Sequence, residues 1–455
     1  MKTWIKNPLA IYLDDDNQGV QGIQNAKGGI VIDQAKIIEL VAGGNTPVAD
    51  YDEVFDASEH VVLPGLINTH HHFYQTLTRA YPDALNKELF PWLKSLYPVW
   101  AGLTKEMIHV STRLAATELL LSGCTTAGDH HYVFPEAVRE ALDIQVDAIQ
   151  QVGVRGALTR GSMSLGEDEG GLPPCNTIQT EDAILSDCER VIDQFHDASD
   201  GSMMTVALAP CSPFSVTEDL MKNTAVLARE KGVRLHTHLA ETFDENDFCI
   251  KVFGVRPVDY LERVGWLADD VWLAHGIHFN DEEIQRLGKA GVGITHCPSS
   301  NMVLGSGQCR TLELEQAGAV VGLGVDGSAS ADCSNLIQEA RQAMLLQRLR
   351  YGSAKVTHID AFRWASKGSA ACIGRNDIGD IAVGKQADLA LFKLDELRFS
   401  GAGDPLAALL LCGAHTADRV MVAGEWKVKD GEVLDCDIDR LLVQHEQARR
   451  KLALT

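Results

Sequence analysis

Residues 61–72 read VVLPGLINTHHH, a short apolar run that ends in three consecutive histidines. A short run of apolar and β-branched residues predicts a strand that is buried on both faces. Seven further runs of this kind follow along the chain, separated by stretches of helical length. The eight runs occupy residues 61–70, 124–131, 154–163, 203–211, 233–241, 271–279, 291–301 and 319–328.

Eight buried strands that alternate with helices are typical of a parallel (β/α)8 barrel. Two of the intervening segments, TEDLMKNTAVLAREKG and DEEIQRLGKAG, end on glycine, as helices often do. A doubly wound open sheet is the alternative, but it usually has fewer units and a glycine-rich turn after its first strand. That turn does not occur here. We therefore predict an α/β protein with a (β/α)8 TIM barrel over residues 65–380.

Both ends of the chain fall outside this alternation. Residues 1–64 and 381–436 contain short apolar runs interrupted by glycine and aspartate, among them IYLDDDNQGV at 11–20. Neither region is long enough to close a core alone, so we predict that they combine into one small β-sandwich. Residues 437–455 predict a C-terminal helix.

The charge balance excludes several classes of partner. The chain has 455 residues with 40 Lys+Arg and 63 Asp+Glu, which gives a formal net charge of −23. Nucleic acids and anionic membranes bind basic surfaces, so we expect neither as a partner. No apolar run approaches the ~20 residues of a membrane span, and the N-terminal segment turns acidic too early for a signal peptide. We expect a cytoplasmic protein, and the sequence leaves homo-oligomers open.

The histidines carry the chemical signal of this sequence. Of 16 histidines, ten lie in the predicted strands or directly after them. The C-terminal ends of barrel strands form the rim where active sites of this fold lie. These ten are His70, His71, His72, His130, His131, His236, His238, His275, His278 and His296.

The spacing of the first histidines indicates a metal site. His70 and His72 are two residues apart at the end of a strand, so their side chains point to the same side and His71 points away. Alone, such a pair is often a coincidence of a histidine-rich turn. Three further candidates stand at the same ends of other predicted strands: His238, His275 and Asp326. A buried aspartate there would be costly unless it met a cation or a hydrogen-bond donor.

Five motifs extend this pattern: PGLINTHHH, HTHLAET, LAHGIHF, HCPSSNMVLGSG and LGVDGSASAD, in this order. They resemble the metal-dependent amidohydrolase superfamily, in particular its aminohydrolase branch of guanine, cytosine and S-adenosylhomocysteine deaminases and triazine hydrolases. The resemblance covers the whole chain, including the flanking sandwich. Within the branch it is closest to the deaminases of 8-oxoguanine.

The resemblance implies one divalent metal ion with a water molecule as the remaining ligand. Binuclear relatives carry a carboxylated lysine at the end of the fourth strand, whereas residues 205–214 read TVALAPCSPF. Zn²⁺ is the expected ion and Fe²⁺ the alternative, because three histidines and an aspartate suit either. The implied metal ligands are His70, His72, His238 and Asp326. The implied catalytic residues are Glu241 as proton shuttle, His275 as the group that orients water and substrate, and Asp326 as proton acceptor.

Three residues are candidate contacts to a planar substrate: Gln75, Cys211 and Trp92. The Gln75 amide could pair with a purine edge, because it offers both a donor and an acceptor. Guanine deaminases have Pro-Arg-Phe where this chain has Cys211, and a thiol cannot provide the bidentate contact of an arginine. Trp92 could stack on a flat ring. Core packing explains Trp92 and Cys211 equally well.

These residues and the resemblance together predict hydrolytic deamination of 8-oxoguanine to urate and ammonia, with a small aminopurine as the substrate. Deamination of guanine, isoxanthopterin or cytosine, or dechlorination of a triazine, is the alternative chemistry. An inactive amidohydrolase-like scaffold is the non-enzymatic alternative, and it would not need Glu241 or Asp326. We expect His130 and His131 to support the metal ligands and His236 to be a hydrogen-bonded core histidine.

Overall fold

The computed structural model describes residues 1–13, 26–331 and 333–454. The strands in these residues are β1 (Lys2–Lys6), β2 (Ala10–Ile11), β3 (Gly29–Asp33), β4 (Lys36–Val41), β5 (Glu53–Asp56), β6 (His60–Pro64), β7 (Leu66–Asn68), β8 (Cys124–His131), β9 (Arg155–Ser162), β10 (Met204–Pro210), β11 (Leu235–Leu239), β12 (Val271–His275), β13 (Gly293–His296), β14 (Val320–Leu323), β15 (Leu389–Lys393), β16 (Arg419–Val422), β17 (Glu425–Lys429) and β18 (Glu432–Val433).

The α-helices of the same residues lie mainly between the barrel strands. They are α1 (Leu89–Trp100), α2 (Lys105–Leu121), α3 (Ala141–Val152), α4 (Glu181–Phe195), α5 (Glu218–Lys231), α6 (Phe243–Phe253), α7 (Pro257–Arg263), α8 (Asp281–Ala290), α9 (Pro298–Val303), α10 (Thr311–Ala317), α11 (Leu336–Tyr351), α12 (His358–Arg363), α13 (Ser369–Cys372), α14 (Pro405–Leu411) and α15 (Ile438–Leu452). Among the described helices, none combines the length and the apolar character that a membrane crossing requires.

Strands β7 to β14 form one parallel sheet in which neighbours in the chain are neighbours in space. The backbone N–H of Thr69, just after β7, donates to the carbonyl of Leu323 at the end of β14 (3.1 Å). This contact brings the last strand next to the first, so the sheet curves into a barrel. The prediction of a (β/α)8 barrel with additional sheets at the chain ends is confirmed.

The predicted first strand, residues 61–70, is in fact two strands. β6 pairs with β15 in an end sheet, whereas β7 pairs with β8 in the barrel. The chain passes between the sheets at Gly65, whose N–H donates to the carbonyl of Asp388 (2.8 Å). A Cβ atom at Gly65 would lie 2.1 Å from Oγ1 of Thr125, so only glycine fits this crossing.

The flanking sheets differ in their origin. A six-stranded sheet, ordered β18-β17-β16-β15-β6-β2, combines strands from both ends of the chain, and a four-stranded sheet, β4-β3-β1-β5, uses N-terminal strands alone. Buried Ile5, Ile32, Val62 and Leu389 belong to one hydrophobic cluster that draws on both sheets. The predicted run at 11–20 lies outside the described residues from position 14 onward. We propose residues 64, 380 and 436 as the domain boundaries.

Helix α8 shows how local sequence sets the ends of the barrel helices. Its first residue follows Asn280, whose side chain accepts from the Glu283 N–H while Glu283 accepts from the Asn280 N–H. This capping box satisfies backbone donors that the helix itself leaves free. The helix ends at Gly291, which has a left-handed φ of 70°. The predicted termination on glycine is confirmed for this segment.

A buried ion pair joins the barrel to the six-stranded sheet. Arg155 in β9 donates from Nε and Nη2 to the two carboxylate oxygens of Asp388 (2.6 and 3.0 Å), and neither side chain is more than 1% exposed. Asp388 also accepts the N–H of Ala423 (2.7 Å). The pair therefore links β9 of the barrel to the six-stranded sheet, at the residue before β15 and, through Asp388, at the residue after β16.

Replacing Asp388 by alanine is expected to lower the free energy of unfolding by about 3–5 kcal/mol, because the Arg155 guanidinium then stays buried without its counter-ion. Urea denaturation followed by circular dichroism measures the change. Asp395→Ala is the matched control: its carboxylate is 60% exposed beside Lys393, so the loss should stay within about 0.5 kcal/mol. Equal losses in the two variants would contradict a special role for the buried pair.

Candidate active site

The four predicted metal ligands meet at the C-terminal end of the barrel. His70 and His72 follow β7, His238 lies in β11, and Asp326 follows β14. Nε2 of His72 lies 3.2 Å from Nε2 of His238. Oδ1 of Asp326 lies 3.2 Å from Nε2 of His70 and 3.3 Å from Nε2 of His72. Three nitrogens and a carboxylate oxygen thus face one small volume, in which an ion could be held.

Hydrogen bonds on the far side of two rings define their tautomers. Nδ1 of His72 lies 2.7 Å from the carbonyl oxygen of His130, and Nδ1 of His238 lies 2.7 Å from that of Cys211. A carbonyl oxygen only accepts, so both Nδ1 atoms carry hydrogen, and in the neutral form of each ring Nε2 presents a lone pair. Two lone pairs facing each other repel unless a cation lies between them.

Two consecutive hydrogen bonds, through His236, give His70 the same tautomer, with hydrogen on Nδ1. Nδ1 of His236 donates to the carbonyl oxygen of Trp272 (2.9 Å), which leaves Nε2 of His236 to accept from Nδ1 of His70 (2.8 Å). Nε2 of His70 therefore presents a lone pair, and this atom is buried without a hydrogen-bond partner. The structure confirms His236 as a hydrogen-bonded core histidine and shows that it orients a predicted ligand.

Replacing His236 by leucine is expected to weaken metal affinity about 10–100-fold, because partners of this kind fix the ring and tautomer of a ligating histidine. Competition with a chelator of known affinity measures the effect. His415→Leu changes an exposed histidine and should leave affinity unchanged. Wild-type affinity in His236→Leu would show that His70 is held without this hydrogen bond.

Burial sets the protonation of the cluster. It lowers the pKa of His70 and lowers that of His238 further, with additional repulsion from the neighbouring imidazoles. Burial alone would raise the pKa of Asp326, but the adjacent His70 and His72 hold it well below its usual range. Burial thus favours the neutral rings of His70 and His238, and the neighbouring histidines favour the ionised carboxylate of Asp326. These are the forms that bind a divalent cation. The residues present fit such an ion.

Glu241 lies beside this cluster, two residues after the end of β11. Its Oε2 is 3.4 Å from Nε2 of His275, and its Oε1 accepts from Oγ of Ser306 (3.3 Å). Burial raises the pKa of Glu241 well above its usual value, and the charges of Asp326 and Glu245 add to the effect. Burial therefore favours the protonated form of this carboxyl group, which can donate its proton.

His275 is oriented by a residue that the sequence analysis did not single out. Nδ1 of His275 accepts from Nδ2 of Asn301 (3.0 Å), so Nε2 carries the hydrogen and points toward Glu241. Burial lowers the pKa of His275 to about 3, which keeps the ring neutral. Asn301 and Ser306 both belong to the HCPSSNMVLGSG motif, where polar residues after a strand end were the available signal.

Two residues of the site have left-handed backbone conformations. His275 has φ 73° and Asp326 has φ 61°. Each such conformation costs about 1–3 kcal/mol in a non-glycine residue, and strain of this size often accompanies functional sites. The backbone bends that result turn both side chains toward the same end of the barrel.

Of the remaining histidines near the site, His130 lies against a predicted ligand, whereas the side chains of His71 and His131 bond other groups. His71 points away and lies 2.7 Å from Oγ of Ser334, as the alternation predicts. The ring of His130 stacks on His238 at 4.7 Å, and its Nε2 lies 2.9 Å from the carbonyl oxygen of Ala209. His131 bonds the carbonyl of Val133 (2.8 Å).

A cavity that is open to solvent lies over the cluster. The three predicted substrate contacts all line it, so the structure places them together with Glu241 and His275. Trp92 also donates from Nε1 to the carbonyl of Ala329 (3.2 Å) and packs on other aromatic rings. The lining residues are His72, Gln75, Leu89, Trp92, Leu93, Tyr97, Tyr132, Cys211, Phe214, His238, Glu241, His275, Leu304, Asp326 and Ser330.

Comparisons with known proteins agree with this geometry. The sequence model of the Amidohydrolase family matches residues 61–427. An 8-oxoguanine deaminase from Pseudomonas aeruginosa is 59% identical, with 99% of each chain covered. An isoxanthopterin deaminase from an unknown prokaryotic organism is 32% identical over 88% of this chain and 87% of the relative. A crystal structure of an atrazine chlorohydrolase from Arthrobacter aurescens TC1 complexed with zinc is 30% identical, with a TM-score of 0.91 over 98% of this chain and 100% of that chain. The chain belongs to the amidohydrolase family.

Proposed function

We propose that the protein is a hydrolytic deaminase that converts 8-oxoguanine to urate and ammonia. The observation that carries the proposal is the cavity, which combines proton-transfer groups at one end with a neutral wall elsewhere. The 59% identity to an 8-oxoguanine deaminase over nearly the whole chain supports the choice of substrate. A scaffold without activity would have no use for a protonated Glu241 beside converging lone pairs.

The wall of the cavity favours an uncharged, flat substrate. Leu89, Leu93, Phe214 and Leu304 line it, and the described lining residues include no lysine or arginine. A nucleotide phosphate or the carboxylate of S-adenosylhomocysteine would need a cationic partner when desolvated. A free base needs none.

We further propose one divalent cation at the cluster, Zn²⁺ before Fe²⁺. The residues that would hold it are His70, His72, His238 and Asp326. When bound, such an ion supplies Lewis-acid activation of a water molecule at neutral pH.

The residues of this chain then divide the proton transfers among them. Asp326 accepts a proton from the attacking water, and Nε2–H of His275 donates a hydrogen bond to the attacking oxygen. Glu241 donates its proton to the ring nitrogen next to the amine-bearing carbon. The amine takes up the proton held by Asp326 and leaves as ammonia. The hydroxyl proton of the intermediate passes to Glu241, which regains its protonated form, and the carbon keeps the oxygen as a carbonyl group. Gln75, Cys211 and Trp92 contact the ring system.

A substrate panel tests the proposal. The purified protein is incubated with 8-oxoguanine, guanine, isoxanthopterin, cytosine and a chlorinated triazine, and ultraviolet absorbance, ammonia and chloride are followed. We expect urate and one ammonia per 8-oxoguanine, with kcat/KM highest for this substrate. Failure to release ammonia from any of the amines would contradict the deaminase, and faster turnover of another substrate would replace 8-oxoguanine. Elemental analysis should give about one metal per chain, and a ratio near two would contradict the single site. We keep as predictions that the protein is cytoplasmic and that it has no nucleic-acid partner. The oligomeric state stays open.

A further inference from the structure

We propose that Tyr97 is a specificity-determining residue whose phenol hydroxyl hydrogen-bonds the substrate edge remote from the reacting amine. The inference rests on the proposed function and deepens it. In 8-oxoguanine that edge carries the C8 carbonyl and the N7–H, whereas in guanine it carries a C8–H and an unprotonated N7. Tyr97 would thus separate the two bases at the position where they differ.

The first step is the hydrogen-bond inventory of the cavity wall. Among the described residues that line the cavity, two have a buried side-chain nitrogen or oxygen without a hydrogen-bond partner: Nε2 of Gln75 and the hydroxyl of Tyr97. The side-chain oxygen of Gln75, Oε1, accepts from the N–H of Ala329 (3.3 Å), which fixes the amide. A buried polar atom without a partner is destabilising, because it has lost its hydrogen bonds to water. A ligand in the cavity that supplies the partner removes this cost.

The second step is the position of Tyr97. It lies in α1, a helix of the long insertion between the first two barrel strands. It belongs to the aromatic and apolar cluster that includes Trp92, Cys211 and Phe214, and its ring packs on Trp100 at 5.9 Å. These residues form the apolar wall of the cavity, whereas Glu241 and His275 stand at the barrel rim. A substrate with its amine at the rim therefore extends its opposite edge toward this wall.

The third step is the chemistry of the hydroxyl. Tyr97 is 1% exposed, and burial raises its pKa well above the usual value, so the group keeps its hydrogen. A phenol can donate to a carbonyl oxygen such as that at C8. Phenylalanine would fill the same apolar space without the unpaired hydroxyl, so packing alone does not account for a tyrosine here.

The experiment compares Tyr97→Phe with wild type for both bases. We expect kcat/KM for 8-oxoguanine to fall about 10-fold or more, mainly through KM, and that for guanine to change less than about 2-fold. Tyr260→Phe is the matched control, because Tyr260 also has a buried unpartnered hydroxyl but lies in α7 and does not line the cavity. It should leave both values unchanged.

Binding of the two reaction products gives a readout that does not depend on turnover. By calorimetry, Tyr97→Phe should bind urate, the product from 8-oxoguanine, about 10-fold more weakly and bind xanthine, the product from guanine, as wild type does. Thermal unfolding without ligand should give a Tm no lower than wild type, since the lost hydroxyl was unpaired, and urate should raise that Tm less.

These outcomes separate the inference from the proposed function. If wild type deaminates 8-oxoguanine and Tyr97→Phe keeps both the 8-oxoguanine/guanine ratio and the urate affinity, the inference is overturned and the function stands. If wild type does not deaminate 8-oxoguanine, the function fails, and the urate and xanthine affinities of the two proteins still decide the role of Tyr97. Equal weakening of urate and xanthine binding would also overturn the inference, because it would indicate a general effect on the cavity.

Discussion

Replacing Glu241 by glutamine is expected to reduce deamination about 10²–10⁴-fold while the metal content stays at its wild-type value. Glutamine keeps the size of the side chain and the oxygen that accepts from Ser306, but an amide does not release a proton to the substrate ring. Loss of one general acid typically costs this much. Steady-state kinetics with elemental analysis of the same samples measures both quantities.

The size of this effect follows from the surroundings of Glu241. The Glu245 carboxylate accepts the backbone N–H groups of Ala240 (2.8 Å) and of Glu241 (3.2 Å). These bonds hold a turn in which Ala240 has a left-handed φ of 53°. Glu241 is thereby fixed in a buried position that favours its protonated form, close to Nε2 of His275. The Glu241 carboxyl group is thus favoured in its protonated form and held in one position at the site.

Glu282→Gln is the matched control, because Glu282 is an exposed residue in the first turn of α8. It should leave turnover and metal content unchanged. Retention of more than a tenth of wild-type kcat/KM in Glu241→Gln would remove this carboxyl from proton transfer. Loss of metal from that variant would instead assign Glu241 to the cluster itself.

The barrel could be predicted from sequence because parallel buried strands are written as continuous apolar runs. The same property concealed the end of the first strand. Residues 61–64 and 66–68 are equally apolar, yet the former pair with β15 and the latter with β8. Only the partner strands distinguish the two halves. The close contact of Gly65 with Thr125 arises from the tertiary structure, and no pattern in the neighbouring sequence predicts it.

The ligand cluster could be predicted because the C-terminal ends of parallel strands meet at one rim. His70, His72, His238 and Asp326 needed only that rule and the family resemblance. The hydrogen-bond acceptors that set the tautomers of these histidines could not be predicted in the same way. The acceptors of His72 and His238 are backbone carbonyls of His130 and Cys211, and every residue type carries such a group.

The cavity wall was the part of the site that the sequence predicted least. Trp92 was a candidate because a large aromatic residue in an insertion can reach the barrel mouth, but core packing was an equal explanation, and the structure shows both. Tyr97 gave no signal of its own, since it lies five positions after Trp92 in the same helix and several neighbouring residues are equally apolar. Which face of α1 meets the cavity is decided by its packing on the rest of the fold.

Replacing Asp326 by asparagine is expected to remove the bound metal and to reduce turnover at least about 10³-fold. Asp326 is the one anion among the implied ligands, so the change leaves three imidazoles and no anionic ligand to hold a dication. Loss of a partner that merely orients a ligand costs 10–100-fold, and loss of the anionic ligand should cost more. Metal per chain after dialysis, and the rise in Tm on adding zinc, are the measurements.

Asparagine is the informative replacement because it preserves the backbone. Asp326 has a left-handed φ of 61°, which asparagine tolerates better than most residues. Its side-chain oxygen can still accept the N–H of Gly327, now at 2.7 Å from Oδ1. A loss of metal therefore reports the charge and not a rearranged turn. Asp430→Asn, at an exposed carboxylate, is the control and should bind metal as wild type does. Full metal content with lost turnover in Asp326→Asn would limit this residue to proton transfer and contradict its place among the ligands.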